Sequence, residues 1–413
     1  MLTRFALLAS LLLPLPVAAQ AVHVVTGSSA TGFADIQSAV DQAANGDVVL
    51  IRPSAVPYDG FVVDGKGLTI AGELPLVLVR SDATPPAVVR NVPAGATVHL
   101  MNLELRGNTE PAASAALDVW ALEAENNAGL LWVQTCRLNS FAGGLEATSC
   151  AEVALFNTTL DGQGLFCGTV QGRDGGPGLV GTGSAVDAFD CSFLGGFGCA
   201  SSSGKAGDGG DGASVVGGRF FASGSILTGG FGGSTGSTVA SNAGAGGDGL
   251  ELSGTAPDGY TVGSTLQGGA GGSFSPFLPG PAGLDLSVLS GTYTELPGVP
   301  LGLAATNPVT EGTALNFLAF GPAGEQLFLG IADSPAALFF VPLGGPLLLG
   351  PSFSVLPLGA LDASGQLAVS LPLPTLPAGM EAGRFYGQLA TASATGEVRV
   401  GSAATVVLLD DSF

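Results

Sequence analysis

The sequence predicts an all-β chain of two domains: a helix-capped stack of short parallel strands, then a small antiparallel sandwich. Three observations predict it. One short amphipathic helix near the start is followed by nothing helical. A strand-and-turn motif recurs six times between residues 100 and 268. Near residue 296 the composition shifts to alternating strands cut by Pro and Gly.

The helix lies in DIQSAVDQAANGDVVLIRP, residues 35 to 53. Ile36, Ala39, Val40 and Ala43 fall at i, i+3, i+4 and i+7, which makes one apolar face. Asn45-Gly46 is the expected stop signal, and a strand is expected from Val48 to Ile51. FVVDGKGLTIAGE, from Phe61, adds two short strands around Asp64-Gly65-Lys66-Gly67.

The repeat comprises LMNLELRG, VQTCRLNS, LFNTTLDG, AFDCSFLG, FASGSILT and TVGSTLQG. Its apolar anchors are Leu105, Leu138, Leu160, Phe193, Ile226 and Leu266, spaced by 33, 22, 33, 33 and 40 residues. One coil of three short strands and three turns takes about 22 residues at roughly 3.3 Å per strand residue. Longer spacings then mean a constant coil with inserted loops. The third position holds Asn102, Thr135, Asn157, Asp190, Ser223 and Gly263. Asn, Asp and Gly tolerate a left-handed turn, and stacked Asn side chains can bond each other. The fourth position, Leu103, Cys136, Thr158, Cys191, Gly224 and Ser264, forms a mostly small column expected to point inward. LTIAGE around Ile70 and LDLSVLSG around Val288 read as degenerate members.

The opening helix, LTIAGE and the apolar-x-Asn-Thr/Cys-x-Leu-x-Gly coil resemble right-handed parallel β-helix proteins of the pectin-lyase-like type. The resemblance covers about residues 22 to 295. It implies that the helix caps the first coil, covering open strand edges and bare core. It implies a fold and leaves function open.

Residues 161 to 280 hold 37 of the 67 glycines, in long loops such as GCASSSGKAGDGGDGASVVGG. Such loops are either low in complexity and mobile, or compact and packed by their own backbone. They look like those of large exported bacterial β-helix proteins. From 297 to 413, ALNFLAF, QLFLGIA, ALFFVPL, QLAVSLPL, FYGQLATA and VRVGSAATVVLL predict an antiparallel β-sandwich.

Residues 1 to 21 read as a signal peptide: Arg4, an apolar run from Phe5 to Val17, and the small-x-small site Ala19-Gln20-Ala21. That run is too short to span a bilayer, and no later stretch has 18 uninterrupted apolar residues. The expectation is a secreted or cell-surface protein with no membrane span. Twelve Lys+Arg against 33 Asp+Glu give a formal charge of -21, which argues against nucleic acid and anionic membranes as partners. Extracellular polysaccharide or a surface protein is the expected partner class.

Candidate sites are sparse. Pectin-lyase-like enzymes use clustered Asp for calcium with a basic partner, and polygalacturonase-like ones use paired carboxylates with a His. Neither pattern can be laid on this chain, whose histidines are His23 and His99 and whose lysines are Lys66 and Lys205. No catalytic residue is assigned and no cofactor is required. Asp208, Asp211 and Asp248 in the acidic Gly loops are calcium candidates, because hard cations take carboxylate and carbonyl oxygens. The plainer reading is that Asp favours turns. Cys167 and Cys199 lie seven and six residues past their anchors, on adjacent coils about 4.8 Å apart. A Cys167–Cys199 disulfide is therefore expected. Cys136 and Cys191 are expected two coils apart, with Thr158 between them, and Cys150 stays unassigned. Trp120 and Trp132 are candidate glycan contacts, with core packing the plainer fate for Trp132.

The functional expectation is an exported, non-catalytic structural or adhesive protein. The alternatives are a polysaccharide lyase or glycoside hydrolase on a β-helix, and a glycan-binding module. A cluster of carboxylates with a basic partner on neighbouring coils of one face would favour the enzyme, and the sequence offers no clear one.

Overall fold

The computed structural model describes residues 20–30, 32–73, 76–81, 83–108, 119–162, 172–202, 204–235, 243–273, 279–393 and 396–413. The chain is all-β, with large parallel sheets followed by separate antiparallel ones.

The parallel strands stack as three faces. The first face runs through Val22–Val25, Val48–Ile51, Thr69–Gly72, Thr97–Met101, Leu130–Gln134 and Glu152–Phe156, each pairing in parallel with the next. It continues through Leu179–Phe189 and Ala213–Ser223 to Asp258–Val262 and Thr292–Glu295. The second face starts at Phe61–Asp64 and reaches Leu286–Val288. The third carries the repeat anchors. A coil visits the second face, the first, then the third, as Leu122–Glu125, Leu130–Gln134 and Arg137–Asn139 do. Leu179–Phe189 and Ala213–Ser223 are long because each turns the corner between two faces without breaking, at Gly183 and at Gly217.

The anchors superpose as Leu105, Leu138, Leu160 and Phe193 in one ladder. The fifth anchor is a correction. Phe193 pairs with Leu227, which pairs with Leu266, while Ile226 is 50% exposed. The left-handed corner of that coil is accordingly Gly224 rather than Ser223, and the small inward residue is Ser225 rather than Gly224. Two apolar residues in a row after Ser-Gly-Ser made the one-residue slip invisible in sequence, although it reverses every face. Val288 is likewise not a motif member: it pairs with Leu252 on the second face. Ile70 lies on the first face, opposite Leu100.

Asn102, Thr135, Asn157, Asp190, Gly224 and Gly263 all have φ between 46° and 61°, so they turn each coil from the first face to the third. Their amides bond main-chain carbonyls instead of one another. Asn102 Nδ2 donates to the carbonyls of Gly72 and Asn307, and Asn157 Nδ2 to that of Leu303. Thr135 stands between Asn102 and Asn157, so no two amides are neighbours in the column.

The helix spans Ile36–Gln42, with Asp35 accepting from Ser38 N as its N-cap. Ile36, Ala39, Val40 and Ala43 join the apolar interior of the first coils. The helix ends at Ala43 rather than at Asn45-Gly46, and Lys66 Nζ takes the carbonyls of Val40 and Ala43.

The glycine loops are a second ordered scaffold. Segments 195–201, 229–235 and 268–273 form one layer, and segments 172–178, 205–212, 243–249 and 280–285 form another. A chain of bonds crosses between them: Gly196 N to Gly176 O, Gly210 N to Gly196 O, Gly230 N to Gly210 O and Gly247 N to Gly230 O, at 2.7–2.9 Å. Bonds within each layer complete the array, such as Gly209 N to Ala245 O and Gly232 N to Ala270 O. A Cβ at Gly230 would collide with the carbonyl of Gly196, so glycine is required by close backbone approach. Of the two readings of these loops, packing by their own backbone is the one observed.

After the stack, Gly302–Ala305, Ala314–Phe320 and Gln366–Pro372 lie against a five-strand sheet that includes Gln326–Ala332, Ala382–Ala392 and Val398–Leu409. Leu303, Phe317, Leu329, Leu389 and Val406 fill the space between. A hairpin, Pro335–Phe340 with Gly345–Leu349, projects onto the first face of the stack. Trp132, Phe156, Phe189 and Phe221 point out from that face and are covered by Leu348, Leu349, Tyr386 and Ala403. Rings of this size bury roughly 150–250 Å² each, which holds the stack to the antiparallel strands.

Candidate functional site

The expected site residues serve the glycine layers. Asp208 Oδ1 accepts from Ala245 N, Asp211 Oδ1 from Asp248 N and Asp248 Oδ1 from Leu284 N, at 2.6–2.8 Å. Asp208 also pairs with Lys205 at 2.9 Å. Each carboxylate thus bonds a backbone amide one coil on. Burial lifts Asp211 to about 6. Among the described residues, the acidic group compact enough to share an ion is Glu311, Asp410 and Asp411, elsewhere in the fold.

Cys136, Cys150 and Cys191 are buried free thiols, and burial pushes Cys136 and Cys191 up to about 12. Thr159 pairs with both Arg137 and Ser192, so Cys136 and Cys191 sit two coils apart with Thr158 between. Cys199 is buried and is not among the free thiols. Its expected partner, Cys167, lies outside the described residues. Trp132 is fully buried, stacked on Phe156 at 4.3 Å with its Nε1 on Gln134, so no glycan reaches it.

The structure assembles the group that sequence reasoning sought and missed. Glu152, Asp187 and Arg219 lie on three successive coils of the first face. Arg219 Nη2 donates to both carboxylates, at 3.0–3.1 Å to Glu152 and 2.9–3.0 Å to Asp187. Burial, and the charge of Asp187, hold the Glu152 carboxyl well above its usual range; burial also raises Asp187, and Arg219 offsets part of both. Phe339 of the hairpin closes the group, with the Arg219 guanidinium 4.6 Å from its ring. Asp187 is 0% exposed and Glu152 8%. The residues are far apart in sequence and belong to strands of different length, so spacing alone could not join them. A raised carboxylate pair is acid–base equipment in an open cleft. Here the two carboxylates are enclosed, and the Arg219 side chain, 22% exposed, is the part of the group that meets solvent.

His99 lies in the same seam. Arg384 Nη1 meets His99 Nδ1 at 3.3 Å and Thr69 Oγ1 at 2.6 Å, and Tyr386 Oη meets His99 Nε2 at 3.0 Å. Arginine cannot accept, so Nδ1 is the acceptor and Nε2 carries the proton. Burial, then the charge of Arg384, hold His99 well below its usual pKa, so it is neutral.

One recess is open and suits a small ligand. Trp120, Phe141, Arg173, Asp174 and Pro177 line a cavity of about 370 Å³ on the corner that bears the loops. That lies in the range of small-molecule sites, roughly 300–1,000 Å³. The Arg173 guanidinium sits 4.5 Å from the Phe141 ring centroid. Gly143 allows the Trp120 ring to lie against backbone, where any Cβ would collide with it.

No protein-family model matches this chain, and no curated protein matches it. Among solved structures, the enzymatically active domain of tailspike protein 4 of bacteriophage CBA120 (TSP4dN, orf213) is similar at 10% identity and a TM-score of 0.19. The match spans 88% of this chain and 64% of that one, but a TM-score this low does not establish a shared fold.

Proposed function

We propose that the chain is an exported, non-catalytic structural or adhesive protein, whose parallel stack is a right-handed β-helix of the pectin-lyase-like kind used as a shaft. The observation that carries this reading is the enclosure of the Glu152 and Asp187 carboxylates behind Arg219 and Phe339. The described residues that most resemble catalytic equipment clamp the seam instead.

A second reading, glycan binding, is favoured by the Trp120 recess. A partly exposed indole with Arg173 and Asp174 beside it offers a ring-stacking surface and polar partners for hydroxyl groups. The two readings combine in an adhesive that holds a polysaccharide on its shaft.

The experiment mixes the exported chain with neutral and acidic polysaccharides and separates them by size-exclusion chromatography. Co-elution that is lost in Trp120→Ala supports a glycan-holding surface. Polymer that emerges shortened overturns the non-catalytic reading and favours the lyase or hydrolase. If both elute unchanged, glycan binding falls and a protein-contacting structural role is left.

A further inference from the structure

The left-handed corner column contains one charge. Its members face the second domain, and two use an amide to bond it: Asn102 to the carbonyl of Asn307 at 2.6 Å and Asn157 to that of Leu303 at 3.1 Å. Gly224 and Gly263 make the same turn with no side chain. Asp190, between Asn157 and Gly224, makes it with a carboxylate (φ 53°). The turn itself does not need that charge, since Asn and Gly adopt it elsewhere in the column.

Nothing among the described residues answers the charge. Asp190 is half-buried, and no donor or basic side chain acts on it. Burial alone accounts for its displaced titration, to about 6. A Cβ on Gly224 would come within 2.7 Å of Oδ1, and one on Gly302 within 2.9 Å of Oδ2. The two oxygens are therefore lodged between the backbone of the next coil and that of the second domain. They border a cavity of about 550 Å³ that Asn157, Gly263 and Gly302 also line. Asn157 spends its Nδ2 on Leu303, which leaves Oδ1 as an acceptor. Asn157 Oδ1 and the Asp190 carboxylate are thus oxygen acceptors on adjacent coils at one cavity, and buried charges are paired or coordinate metals.

We propose that Asp190 anchors a hard divalent-cation site of the calcium class in the seam between the two domains. Asn157 Oδ1 and main-chain carbonyls complete a donor set of carboxylate, amide and carbonyl oxygens, the set that calcium takes. The contrast with Asp208, Asp211 and Asp248 is direct, because those carboxylates already accept backbone amides. The cation bridges the two domains where Asn102 and Asn157 bridge them by hydrogen bonds. The inference does not depend on what the protein adheres to.

The test uses the full exported chain, stripped with a chelator and titrated at pH 7.5 with calcium chloride. Isothermal titration and thermal unfolding are followed, with magnesium chloride at equal ionic strength as control. The expected result is a saturable calcium-dependent rise in Tm, with binding at least ten-fold weaker in Asp190→Asn. Asp190→Asn is expected to fold, because Asn holds the same turn at 102 and 157. Asp190→Gly is the second variant, after Gly224 and Gly263. Asp208→Asn is expected to keep the response. No calcium response in the wild type overturns the proposal, and so does a response that persists in both Asp190 variants.

Discussion

Glu152 and Asp187, on adjacent coils, accept hydrogen bonds from the same nitrogen, Nη2 of Arg219. Two carboxylates against one guanidinium leave one negative charge among largely buried groups. Both carboxyls are raised by burial, so their protonated forms favour the folded state. Their contribution is fully present below ordinary carboxylate pKa values and is lost as pH rises through the raised ones.

Arg219→Met should therefore destabilise more at pH 8 than at pH 5. Removing one partner of a buried pair costs about 3–5 kcal/mol. Glu152→Gln removes the surplus charge and should be nearly neutral, or stabilising, at pH 8. Urea midpoints of the three proteins at both pH values decide it. An equal loss in Arg219→Met at pH 5 and pH 8 would mean the carboxylates stay protonated and the clamp is wrongly drawn.

The glycine layers predict an unusual sensitivity to the smallest side chain. Gly230→Ala or Gly247→Ala forces a methyl onto a carbonyl of the neighbouring segment. The backbone must part, at a cost of about 1–3 kcal/mol or more. Gly204→Ala meets only the Ser201 hydroxyl, at 3.3 Å, and should be tolerated. Thermal unfolding of the three variants checks the order. Amides of Gly196, Gly210 and Gly230 should also exchange slowly, because each is bonded to the facing layer.

What was legible in sequence was whatever repeats locally. The apolar face of Ile36, Ala39 and Val40, and the anchors from Leu105 to Phe193, follow from period and spacing. Ile226 was misread because Ile-Leu fits the anchor equally well in either register. The Gly layers were visible only as composition, since their order comes from bonds between separate segments, such as Gly210 to Gly196, 14 positions apart, and Gly232 to Ala270, 38 apart. The Arg219 group was invisible for the same reason: Glu152 and Arg219 are 67 positions apart. Trp120 showed as an aromatic residue, but its recess is built by Phe141 and Arg173 from other coils.

His99 sets the acid limit of the seam. Its folded pKa lies well below 6.5, so the stability tied to its neutral form is present above pH 6.5. It is lost as pH falls, because a second cation would then stand beside Arg384. His99→Gln cannot titrate and should flatten the loss of stability below pH 6. It gives up hydrogen bonds with Tyr386 and Arg384, at about 1–3 kcal/mol at neutral pH. Denaturant midpoints from pH 4 to pH 7 give the slope. A variant as acid-sensitive as the wild type would assign that loss to other groups.

The proposed export would leave two marks on the mature chain. Gln20 already pairs with Ala382, and Ala21 N donates to Asp47 at 3.1 Å. A cut after Ala21 would discard both contacts, whereas a cut after Ala19, behind Val17-Ala18-Ala19, keeps them. We expect the exported protein to begin at Gln20, and its intact mass reads this directly. A mass beginning at Val22 would show that the first strand does without that bridge. The same sample carries the second mark. Non-reducing peptide maps should join Cys167 to Cys199, while native Cys136 and Cys191 resist alkylation, being buried with thiols pushed up to about 12. A free Cys199 in exported protein would remove the staple, and the glycine layers would then rest on their backbone bonds alone.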